Sequence, residues 1–83
     1  MSNWKETVVE IIRRKGKLVY KFEKAAEEAN HNGDADREKN MYKCADKAEE
    51  YVAGAIDVLE AMGYEIKFDS NHYVEEIIGE GLN

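Results

Sequence analysis

The sequence has no proline, one cysteine, two histidines and one tryptophan among its 83 residues. Serine and threonine are also scarce, with only Ser2, Thr7 and Ser70. An all-β fold would lack the residues its turns usually draw on. The single cysteine, Cys44, excludes an intrachain disulfide. His31 and His72 lie far apart with no cysteine cluster beside them, so neither a metal nor a cofactor is expected. No apolar run approaches the roughly 18 residues of a membrane span. The N-terminal residues include Trp4 and Glu6 and lead into no apolar core, so no secretory leader is expected. A cytoplasmic protein is the default expectation for this cysteine usage.

The motifs of catalysis are missing as well. There is no phosphate loop or nucleotide fingerprint. The stretch Asn32-Gly33-Asp34-Ala35-Asp36 has calcium-loop composition without the twelve-residue pattern. The glutamate pairs at 27/28, 49/50 and 75/76 lack the Glu-x-x-His partners of a helical di-metal site. The expectation is a non-enzymatic protein.

What remains is rich in alanine, glutamate and lysine, which favours helix. Asn3 and Glu6 have capping-box spacing. From there apolar residues recur at Trp4, Val8, Ile11, Leu18, Phe22, Ala25 and Ala29, with Lys15 in the one missing place. The rhythm crosses Gly16 in phase, which predicts one helix over about 3–30. The alternative is a helix end at Gly16 with two short helices meeting there. The segment Asn30 to Asp36 reads as a turn over 31–35, with Gly33 left-handed and Asp34 or Asp36 capping the next helix. Met41, Ala45, Ala48, Val52, Ala55, Leu59 and Met62 then step by 4 and 3, predicting a helix over about 36–62 that ends at Gly63.

Two helices of near-equal length with a short loop predict an antiparallel, coiled-coil-like hairpin. Reflection about the loop puts Trp4 near Leu59 and Met62, Ile11 near Val52 and Ala55, and Lys15 near Glu49. Val9, Ile12 and Val19 form a second stripe on the first helix, and Cys44, Tyr51 and Val58 one on the second. The remaining residues are expected to cover part of this surplus. Tyr64, Ile66 and Phe68 alternate with Glu65 and Lys67, an extended pattern over 64–68 with no evident partner strand. Asp69 or Ser70 is expected to cap a short C-terminal helix over about 70–79, carrying Tyr73, Val74, Ile77 and Ile78. The fold class is therefore mainly α, in one small domain.

Charge is unevenly placed within the total of −6. Residues 1–24 hold seven basic and three acidic groups, a net of +4; residues 25–83 hold five basic and fifteen acidic groups, a net of −10. Arg14, Lys17 and Lys21 lie on a basic stripe. Asp46, Glu50, Asp57 and Glu60 give the second helix an acidic surface. Both stripes are consistent with ordinary solvated faces.

A small acidic protein-interaction or assembly module is the leading expectation, acting as an inhibitor or accessory factor through a protein partner. A partner with a basic surface suits the acidic helix. Pairing with a second copy suits the surplus apolar surface. The aromatics Tyr20, Tyr42 and Tyr73 are candidates for partner contact. The alternative is a nucleic-acid accessory protein using the basic stripe, which the surrounding negative charge disfavours.

Overall fold

The computed structural model describes residues 3–81. Two helices are followed by two strands: α1 (Trp4–His31), α2 (Ala35–Ala61), β1 (Glu65–Phe68) and β2 (Val74–Ile78). Helix α1 runs through Gly16 without a break. Asn3 is its N-cap, with its side chain accepting from the Lys5 amide at 2.9 Å.

The turn between the helices uses each residue of its signal. Gly33 is left-handed at φ 73°. Its amide donates to the Asn30 carbonyl, and the Asp34 amide to the Ala29 carbonyl, closing a Schellman motif. Asp34 then caps α2 by accepting from the Arg37 amide at 3.0 Å. The same motif ends α2, with Gly63 at φ 91° and the Gly63 and Tyr64 amides donating to Glu60 and Leu59.

The C-terminal segment corrects the sequence reading. No helix forms over 70–79; β2 occupies that stretch and pairs antiparallel with β1. The extended segment therefore has its partner within the chain. Two physical reasons explain the difference. Phe68 pairs with Val74 and Lys67 with Glu76, so Glu75 is an extra, bulged residue in β2. The bulge puts Val74 and Ile77 on the same buried face although they are three apart. A period-2 strand with one added residue thus imitates a helical spacing. Asp69, expected to cap a helix, instead closes a turn: its Oδ1 accepts from the Asn71 and Tyr73 amides at 2.9 and 3.0 Å. His72 sits at φ 66°, outside helical backbone.

The strands lie across one side of the helical hairpin, β2 chiefly on α1 and β1 on α2. This third layer decides which stripe of α1 is core. Ile12, only 2% exposed, joins Leu59, Val74 and Ile77, with Val9, Val52, Ile56 and Ile66 around them. The stripe read as flanking is thus the buried one at this end. Near the inter-helix turn the core is made of alanines, Ala26, Ala29, Ala45 and Ala48. Trp4, expected in the seam, packs edge-on against Tyr64 with ring centroids 5.2 Å apart. Among the described residues Lys15 is within 4.0 Å of no carboxylate; its ammonium lies over the Tyr51 ring, 5.1 Å from the centroid.

Candidate functional site: an open helix face and two grooves

The heptad columns of the two helices define which surface the strands leave open. On α1, Val9 and Gly16 face the strands: Val9 packs on the core and Tyr73 lies against Gly16. On α2, Glu49 and Ile56 do so, in a groove shared with Phe68 and Tyr73. The columns on the far side of the seam are Trp4, Ile11 and Leu18 on α1, and Cys44, Tyr51 and Val58 on α2. No strand covers them. Trp4 is 46% exposed, Ile11 37%, Tyr51 49%, Val58 58% and Met62 48%. Large apolar side chains from both helices therefore meet solvent along one face.

Gly54 borders the same face, one turn beyond Tyr51. It lies inside α2, where glycine costs about 1 kcal/mol relative to alanine. Apart from its chain neighbours and the backbone of its own helix, a methyl group built on it meets no atom of the described residues within 4 Å. Packing within the chain therefore gives no reason for the missing side chain. The sequence carried the signal as a lone glycine inside an unbroken apolar repeat.

Two grooves lie on the strand side. The larger, about 630 Å³, runs between α1 and the sheet. It brings Arg14 and Lys17 together with Lys5, Arg13 and Lys67, but also with Glu6, Glu10, Glu75 and Glu76. Most of these cations already have partners. Arg13 donates to Asp69 and to the Val74 carbonyl, both at 2.9 Å. Arg14 pairs with Glu10 at 3.5 Å and Lys67 with Glu75 at 3.7 Å. Lys5 donates to the Gly79 carbonyl and sits beside the Tyr64 ring. Lys17 makes no ion pair among the described residues. The guanidinium of Arg13 beside Asp69 holds that carboxyl below its ordinary range, helped by the Tyr73 and Asn71 amides against some burial.

The smaller groove, about 330 Å³, is walled by Tyr20, Phe68, His72 and Tyr73 over Val19, Val52 and Ile56. The sequence pattern does not single out Phe68 and His72, because their place depends on the β-hairpin.

The remaining candidates are dispersed. Lys21 is exposed and shares a column with Arg14. Tyr42 is exposed nearer the inter-helix turn, in the column of Glu49 and Ile56. Asp46, Glu50, Asp57 and Glu60 are exposed and unpaired on the back of α2, among the described residues. No three His, Cys, Asp or Glu side chains converge to hold a metal ion among the described residues, and no helix there is long and apolar enough to cross a membrane. The chain matches no protein-family model, no curated protein and no solved structure.

Proposed function

We propose that this protein is a non-enzymatic protein-interaction module whose contact surface is the helix face opposite the β-hairpin. The observation that carries the reading is the exposure of Trp4, Ile11, Tyr51, Val58 and Met62 on that one face. Scattered single apolar residues are normal on a soluble domain, but a continuous stripe across two helices has a cost in water that a partner would remove. The occupant that suits it is a helical, apolar protein surface, because an amphipathic helix lays its apolar face into a hydrophobic groove.

The basic stripe supports nucleic-acid binding less well. Arg13, Arg14, Lys5 and Lys67 are engaged with groups of this chain, and acidic residues share their groove.

The test is affinity capture with the full chain, run in parallel with Val58→Glu and with a charge-reversed Arg14→Glu/Lys17→Glu/Lys21→Glu chain. A stoichiometric protein, its own untagged chain included, that is lost with Val58→Glu and kept with the charge-reversed chain supports the reading. Equal capture by the wild type and Val58→Glu overturns it. Salt-sensitive nucleic acid lost only with charge reversal would establish the alternative.

A further inference from the structure

We infer that the occupant of the open face is a second copy of this chain, arranged so that α1 of each copy lies on α2 of the other. This inference rests on the reading of that face as a binding surface, and it adds the identity of the partner.

The levels of the side chains make the face self-complementary. Lys15 over Tyr51 fixes the height at which the two helices of one chain stand side by side. Counting antiparallel from that pair, Ile11 stands level with Ala55, and Trp4 with Met62. A two-fold axis parallel to the helices preserves these heights. It places Ile11 of one copy between Tyr51 and Val58 of the other, and Trp4 beside Met62. Each apolar residue then meets apolar residues, twice over by symmetry. Every neighbouring helix pair runs antiparallel, as in a four-helix bundle.

Gly54 supports this arrangement over its alternative. Gly54 and the exposed Ala61 lie at the edge of the stripe, where the partner's α1 would come down. Their small size admits close helix approach, and it explains a glycine that no packing among the described residues requires. The other two-fold arrangement stacks α1 on α1. It would take Gly54 away from the partner's α1 and set α2 on α2. In the proposed one Arg14 comes within two residues, about 3 Å along the axis, of the level of Glu50, which has no ion pair among the described residues. The molecule measures 53 × 23 × 19 Å, and the apolar stripe runs along its long axis, the direction in which a partner can bury most surface.

The decisive experiment is sedimentation equilibrium of the full chain from micromolar to millimolar concentration. The expected result is a reversible dimer. Val58→Glu should weaken it at least ~30-fold in Kd, the loss of a hot-spot contact, with unchanged far-ultraviolet circular dichroism. Gly54→Leu should weaken dimerisation while leaving the monomer as stable or more so. In a Cys44→Ser background, mixing Ile11→Cys chains with Val58→Cys chains should give 11-to-58 products with a short bis-maleimide.

A monomer at every concentration overturns self-pairing. If that monomer still captures a foreign protein and loses it with Val58→Glu, only the identity of the partner fails and the binding-face reading stands. A dimer indifferent to Val58→Glu and Gly54→Leu, or one giving mainly 11-to-11 products from Ile11→Cys alone, overturns the arrangement.

Discussion

The Tyr73 ring lies so close to Gly16 that a methyl group built on the glycine would stand 3.0 Å from Tyr73 Cδ1. Gly16 thus serves the contact between α1 and the β-hairpin, and the helix continues through it without a break. Two terms oppose each other on substitution. Alanine gains about 1 kcal/mol of helix propensity, while overpacking against a held ring costs about 1–3 kcal/mol. Gly16→Ala is expected to be neutral to destabilising in the wild type. In a Tyr73→Ala background the same change should stabilise by about 1 kcal/mol. Denaturant unfolding of the four chains measures the difference as a coupling energy.

Arg13 and Asp69 join α1 to the turn between the strands, and their link carries a pH dependence. Asp69 has its pKa lowered in the folded state, first by the Arg13 hydrogen bond. A carboxyl with a depressed folded pKa contributes stability that is full above its unfolded value, roughly pH 4, and is lost as pH falls through the lower folded value. The denaturant midpoint should therefore drop on acidification below that point. Asp69→Asn keeps an oxygen for the Asn71 and Tyr73 amides and removes the charge. Its stability should be lower than wild type at neutral pH and should converge with it in acid. Parallel curves for the two chains would show that the ion pair contributes nothing to the acid response.

The helices, the turn at Gly33 and the stop at Gly63 were legible because local chemistry decides each of them. A 4/3 apolar rhythm, an Asp cap and a left-handed glycine act within a few residues. The β-hairpin was not legible, because a bulge at Glu75 restored helical spacing to Val74 and Ile77. Asp69 is equally suited to a helix cap and to an Asx turn. The choice between Ile11 and Ile12 as core could not be read from two helices alone, since the third layer makes it. The candidate site was legible in part. Tyr51 and Val58 stand out in the sequence as a surplus stripe, but the 4/3 rhythm assigns Trp4 and Ile11 to the seam, and Gly54 leaves the apolar repeat unbroken.

The bulge makes opposite forecasts for two adjacent isoleucines. In the helix expected from the sequence, Ile77 and Ile78 would both belong to an apolar stripe. In the strand they point to opposite faces, Ile77 buried and Ile78 exposed. Ile77→Ala should cost about 2–5 kcal/mol, as for other buried isoleucines, and Ile78→Ala less than about 1 kcal/mol. Ile12→Ala should match Ile77→Ala, because both belong to one cluster. Urea titrations of the three variants measure this, and similar losses at 77 and 78 would speak for a helical packing instead.

The two ends of the helical hairpin differ in what holds them, and amide hydrogen exchange should show it. At the strand end Ile12, Leu59, Val74 and Ile77 are buried together with partly buried valines. At the turn end the buried side chains are Ala26, Ala29, Ala45 and Ala48. A buried methylene contributes roughly 0.8 kcal/mol, so an alanine core yields much less per residue than one of isoleucine and leucine. The capped turn at Gly33 opposes fraying, but capping is worth only about 1 kcal/mol. Local opening should therefore begin at the turn end, with smaller protection for amides of 22–30 and 38–48 than for those of 8–16 and 52–60. Ala45→Gly should widen the gap by about 1 kcal/mol in the opening free energy of the turn end, while leaving protection at the strand end unchanged. Uniform protection along both helices would mean that the hairpin opens only as one unit.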